Sequence, residues 1–257
     1  MGPEQIDEIF AQTLTGDYDD ESPWDAVGAL HRIGSREVYD RAAEWCSSDN
    51  PLKRARGTDV LAQLGRTVDH PTHNFPDECF SVVSALVQRE KDPLALLSAV
   101  HALGHIGNPL AVPLVIEHRL HPSADVRFAV ACALGNFAND SRSVDALLEL
   151  MRDVDEDVRD WATFGLGVLG DLDSVEIRDA LCQRMTDPDR NVREESLAGL
   201  SKRKDQRALP TLIAELSRSE ISDAVIEAAD SFLSENEQRA NWNSRDYVAA
   251  LRKRFSL

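Results

Sequence analysis

Residues 153–170, DVDEDVRDWATFGLGVLG, decide the fold. A polar turn, DVDED, leads into one helix with an apolar stripe of Val158, Ala162, Gly165, Leu166 and Leu169, and the phrase stops on a glycine. Trp161, Phe164 and Val168 form a second stripe beside the first. Copies of the phrase recur, as in residues 24–34 (WDAVGALHRIG) and 53–65 (KRARGTDVLAQLG). Their anchor leucines, Leu30, Leu61, Leu103, Leu134, Leu166 and Leu200, lie 31, 42, 31, 32 and 34 residues apart. The long step exceeds the first by 11, the length of the Pro- and His-rich stretch 66–76, which reads as an inserted loop. Such a period means stacked units, none able to bury its apolar face alone.

Each unit pairs an outer helix with an inner one. The pairs read as 35–46 with 53–65, 77–90 with 93–107, 111–120 with 125–137, 143–152 with 157–170, 175–185 with 191–202, and 209–216 with 223–233. Asp92 suits an N-cap and Pro93 the first helical position. Residues 5–15 and 245–255 read as terminal helices, and Arg252, Lys253 and Arg254 sit where cations favour a helix end. The expectation is an all-α, right-handed α-solenoid of about six pairs. It is one domain over 1–257, with an N-terminal cap at 1–21, repeats over 22–235 and a C-terminal cap at 236–257.

Seven residues before the leucines stand Arg54, Arg127, Arg159 and Arg193, and the small residues Gly104, Gly135, Gly167 and Gly199 sit next to the leucines. With Asp153, Val158-Arg159 and Leu166-Gly167, and Asp187, Val192-Arg193 and Leu200, this resembles the short-period HEAT-like repeats of bacterial proteins. The resemblance implies a ladder of polar contacts between repeats, carried by Asp153/Arg159 and Asp187/Arg193, with His121 in place of the Asp in the Arg127 unit. Residues 158–233 are similar to one bacterial HEAT subfamily, some members of which are regarded as immunity partners of Rhs-type polymorphic toxins. That likeness implies an immunity protein. HEAT-like repeats also resemble those of di-iron hydroxylases and phycobilin lyases, which implies a metal- or chromophore-dependent enzyme as the alternative. A general scaffold is the third reading.

The charge balance, 28 Lys+Arg against 45 Asp+Glu for a net −17, opposes nucleic acid and anionic membrane and suits a basic protein such as a toxin domain. Cys46, Cys79, Cys132 and Cys182 show no CxxC spacing, the start lacks a signal-peptide pattern, and no apolar run is long enough to span a bilayer. The expectation is a cytoplasmic monomer.

Counting from each anchor leucine places equivalent slots along the inner helices: Arg56, Asp59, Gln63; Ser98, His101, His105; Ala129, Cys132, Asn136; Trp161, Phe164, Val168; Glu195, Ala198, Lys202. On a concave face they would give a groove with an aromatic centre and charged ends, the anatomy of a protein-binding hot spot. The expected partner-binding residues are Trp161, Phe164, Val168, Asp160, Glu195, Lys202, His101 and His105. His101 and His105 also have metal-ligand spacing, with Cys132 one repeat along, but no Glu follows either histidine and no metal or cofactor is expected. The carboxylates Asp153, Asp155, Glu156, Asp157 and Asp160 read as helix-start capping, or with Asp187, Asp189, Glu194 and Glu195 as an acidic landing patch. No phosphate-binding glycine loop or nucleophile turn is present. The favoured function is non-enzymatic protein binding.

Overall fold

The computed structural model describes residues 2–233 and 242–256. Residues 1, 236–241 and 257 of the two expected caps lie outside the described residues. Every regular element among those described is helical, and the chain divides after Phe137 into two compact units.

The first unit holds α1 (Pro3–Gln12), α2 (Glu21–Ile33), α3 (Arg36–Trp45), α4 (Pro51–Ala62), α5 (Pro76–Val87), α6 (Pro93–Ile106), α7 (Ala111–Ile116) and α8 (Ala124–Gly135). The inner helices α2, α4, α6 and α8 pack side by side, and α3, α5 and α7 lie behind them. The second unit holds α9 (Ser141–Leu150), α10 (Glu156–Phe164), α11 (Val175–Arg184), α12 (Arg190–Lys202), α13 (Leu209–Glu215), α14 (Asp223–Phe232) and α15 (Ser244–Phe255), with α10, α12 and α14 as its inner layer. This is an α-solenoid architecture of stacked helix pairs. None of the six anchor leucines is more than 1% exposed, so each contributes about 2 kcal/mol of apolar burial. The N-cap at Asp92 forms as expected, its Oδ1 accepting from the amides of Leu94 and Ala95.

The helix expected over 157–170 is not regular to its end. After α10 the backbone passes into a π-helical turn, Gly165–Leu169. The cause is tertiary. The buried Arg203 guanidinium draws the carbonyls of Leu166, Gly167, Gly199, Gly170 and Leu172 to 2.7–3.3 Å. A widened turn presents carbonyls that a regular α-helix would spend within itself. The close approach anticipated at the small residues is real here: a Cβ on Gly199 would stand 2.6 Å from the Gly167 Cα and 3.0 Å from Leu181.

The insertion at 66–76 is a plug rather than an appendage. His73 is buried, its Nδ1 2.7 Å from the Asn74 carbonyl and its Nε2 2.8 Å from that of Leu61. The Asn74 side chain donates to the Gly34 carbonyl at 2.9 Å and fills the space over Gly65, whose φ of 80° only glycine adopts cheaply.

The arginine ladder forms, with a division of labour that the Asp/Arg spacing did not reveal. Each arginine donates one nitrogen to backbone carbonyls of the turn before its own helix: Arg159 to Asp153 and Val154, Arg193 to Asp187, Pro188 and Asp189, Arg127 to His121 and Pro122. The other side of the Arg159 fork reaches both Asp187 oxygens of the next repeat at 3.1 Å. Because the turn is gripped through its carbonyls, His121 serves Arg127 as well as an aspartate would. Arg54 repeats the arrangement on Glu90 at 2.6 and 2.8 Å, a rung hidden in the sequence by the longer side chain.

Arg54→Ala strands the nearly buried Glu90 carboxylate and is expected to cost about 3 kcal/mol in a denaturant melt. Gly199→Ala forces α12 off the π turn and is expected to cost about 2 kcal/mol in the same measurement.

Candidate functional site

The predicted aromatic stripe emerges on the inner layer of the second unit. Trp161 is 38% exposed, and Phe164 and Val168 are half-buried. The Trp161 and Phe164 rings meet edge to face at 5.5 Å and 79° and together form one apolar knob. Beside it stand Asp160 on α10 and Glu195 on α12, both half-buried. Burial, with the charges of Asp189 and Asp157, pushes the Asp160 carboxyl up to about 6. Burial, with the charges of Asp160 and Glu194, pushes Glu195 up to about 7. Asp160 Oδ1 is shielded from solvent without a hydrogen-bond partner among the described residues. The pair is therefore electrostatically unsatisfied and would gain from an incoming cation.

Lys202, expected at the charged end of this groove, is spent locally. Its Nζ donates to the carbonyls of Val168 and Gly170 at 2.9 and 3.1 Å and pairs with Asp171 at 2.8 Å, bracing the end of the π turn. Most of the acidic turn is spent as well. Asp155 caps α10 through the amides of Asp157 and Val158, and Asp153 accepts from the Asp155 amide. Asp189 caps α12, and Glu194 is held by Arg190 and Ser222. Burial alone would raise the Asp187 carboxyl, but hydrogen bonds from Arg159 and the Asp189 amide, with the charges of Arg159 and Arg184, hold it below the usual range. The landing patch thus reduces to Asp160 and Glu195 with the exposed Glu156 and Asp157.

Slots counted on α4 and α6 line a cavity of about 560 Å³ that the sequence did not announce, whereas those counted on α8, Ala129, Cys132 and Asn136, are not among its lining residues. Asp59, Gln63, Ser98, His101 and His105 face it, joined by Tyr18, Trp24 and Phe128. Arg56, read as a groove charge, is instead 1% exposed. It donates to the carbonyls of Thr13 and Tyr18 and to Asp59 Oδ2, and it lies 4.1 Å from the Tyr18 ring centre. This clamp folds the segment after α1 down as one wall. Tyr18 donates its hydroxyl to Asp59 at 3.0 Å and lies 2.6 Å from Ser98 Oγ. Burial raises Asp59 to about 6 despite Arg56. Burial lowers His101 to about 4, assisted by His105, and also lowers His31 and His105. All three shifts favour the neutral imidazole. His101 lies edge-on to Phe128 at 5.8 Å. His101, His105 and Cys132 do not assemble a ligand set: no group of three or more His, Cys, Asp or Glu among the described residues is placed to hold a metal ion.

A profile of HEAT repeats matches residues 80–167 and 165–232, more than half of the chain. The chain belongs to the HEAT-repeat family. It is 28% identical over 229 residues to protein YibA of Escherichia coli, covering 87% of this chain and 79% of YibA. An uncharacterized phycocyanin operon protein Z of Pseudanabaena tenuis is 29% identical over 148 residues, 56% of this chain and 70% of that protein. The X-ray structure of Escherichia coli YibA superposes with a TM-score of 0.73 at 24% identity, covering 99% of this chain and 95% of that one, a likeness of fold.

A carboxyl raised by folding binds its proton more tightly in the native state, so stability is lost as pH climbs from the unfolded value near 4 through about 7. Glu195→Gln removes that loss. Allowing for the solvent that reaches the side chain, it should stabilise the protein by about 1 kcal/mol at pH 8 and have little effect at pH 4, as read by thermal melts across pH.

Proposed function

We propose that the chain is a non-enzymatic, cytoplasmic binding module that holds a basic protein on the inner-helix face around Trp161. One observation carries this reading: a partly exposed Trp161–Phe164 knob stands beside two half-buried carboxylates, raised by burial and by one another's charge, for which no ion pair with a cation is seen among the described residues. Aromatic anchors ringed by polar groups dominate binding energy at protein interfaces, and complementary charge speeds the encounter. The net charge of −17 supports a basic partner and argues against nucleic acid. Among the described residues no helix is long and apolar enough to cross a membrane. The specific form of the proposal is an immunity protein that masks a toxin domain. Its support is the resemblance of residues 158–233 to the subfamily containing such proteins.

The test is affinity capture with the wild type, Trp161→Ala/Phe164→Ala and Trp24→Ala, each checked for folding by circular dichroism. A stoichiometric basic partner retained by the wild type and Trp24→Ala, and lost from the double variant, supports the proposal. Retention by the double variant overturns it. A bound cation favours the ionised carboxylates, so affinity should rise several-fold from pH 6 to pH 8 with release of protons, and Glu195→Gln should flatten that profile. Titration calorimetry in two buffers of different ionisation enthalpy reads both effects.

A further inference from the structure

The cavity of the first unit has a chemistry of its own, separate from the Trp161 face. Its volume, about 560 Å³, is that of a small-molecule site. Its lining is mostly apolar, with Trp24 and Phe128 as aromatic walls and Leu94 and Leu97 on α6 between them. Every lining residue charged at neutral pH is an acid: Asp19 on the α1–α2 segment, Asp59 on α4 and Asp125 on α8. No Lys or Arg lines it. Arg56, behind the wall, offsets Asp59, and Arg66 is tied to the His105 carbonyl at the far end. Asp19 and Asp125, both exposed, are left at the mouth without a cation among the lining residues.

The histidines reinforce this sign. With its basicity lowered by burial, each offers one ring nitrogen as an acceptor rather than a positive charge, and His31 spends its Nε2–H on the Asp59 carbonyl. An anion entering would meet two carboxylates and no counter-charge. A neutral apolar body would fill the aromatic walls and leave the mouth unanswered. A cation on an apolar frame answers both: Trp24, which already carries the Arg56 guanidinium 5.0 Å from its ring centre, and Phe128 take the frame, while the carboxylates at the mouth take the charge.

We infer that the cavity between α2, α4, α6 and α8 is a binding site for an organic cation, an ammonium or guanidinium carried on an aromatic or aliphatic frame. The frame lies between Trp24 and Phe128, and the charge is held at the mouth by Asp125 and Asp19. The buried Tyr18–Asp59–Ser98 network fixes the floor and the position of the Tyr18 wall. This site stands apart from the Trp161 face, and neither depends on the other.

The probes are 2-phenylethylammonium, its neutral analogue 2-phenylethanol and the anion 3-phenylpropionate, titrated calorimetrically into the full chain. The ammonium should bind saturably and about tenfold or more tighter than the alcohol, with the carboxylate weakest. Asp125→Asn should weaken the ammonium about three- to tenfold and leave the alcohol unchanged. Gln63→Lys, which adds a cation to the lining, should do the same more strongly, whereas Gln63→Glu should tighten binding. Trp161→Ala/Phe164→Ala should leave all three affinities as they are. A second arm uses Nα-acetylarginine amide. Tighter binding of this amide identifies a side chain of a bound protein as the source, and tighter binding of the free amine identifies a metabolite. No saturable binding of either cation at millimolar concentration, equal affinity for cation and alcohol, or indifference to both charge-changing Gln63 substitutions overturns the assignment.

Discussion

A helix pair of this chain cannot bury its apolar face alone, and the stack depends on a fork that locks one pair onto the next. Arg159 holds the turn before its own helix through two carbonyls and takes the Asp187 carboxylate of the following repeat with its remaining nitrogens. Arg54 does the same with Glu90. A nearly buried carboxylate meeting a guanidinium in this planar geometry tolerates little sliding, so the fork sets the register in which the anchor leucines interleave. Asp187 and Glu90 also accept amides of the turn that caps their own inner helices, coupling the start of one helix to the position of its neighbour.

Two further arginines shape the surfaces. Arg203 collects four carbonyls in and just after the π turn and one on α12, and Lys202 beside it takes two, so the backbone carbonyls around Val168 are hydrogen-bonded. Arg56 pulls the segment after α1 over α4 and creates a wall where a bare helix layer would be open. The repeats are alike in their cores and differ in these additions. In each unit the addition lies beside the candidate site, where the regular pattern is interrupted.

Much of this was legible in advance. Leucine spacing gave the period, the outer and inner helices fell where expected, and the 11-residue insertion was recognisable as a break. The slots counted from each leucine share a face, which is why Asp59, Gln63, Ser98, His101 and His105 reappear together around one cavity. The errors came from side chains long enough to choose. Arg56 and Lys202 occupy the expected slots, but each reaches back to backbone carbonyls instead of projecting outward. Spacing locates a Cα, not the end of a long, flexible side chain.

The sequence by itself determined the all-helical repeat, its period and its buried leucines, because helical periodicity and glycine stops act locally and recur. Only the tertiary structure decided which charges are satisfied. Asp153, Asp155, Asp160, Asp187 and Asp189 look alike in the chain, yet Asp187 meets Arg159, Asp155 and Asp189 cap helices, and Asp160 faces other acids. The two caps are local, but the pairing of Asp187 and the isolation of Asp160 depend on which residues of the neighbouring repeat arrive opposite. That distance is set by packing across some thirty residues of chain, beyond the reach of any local pattern.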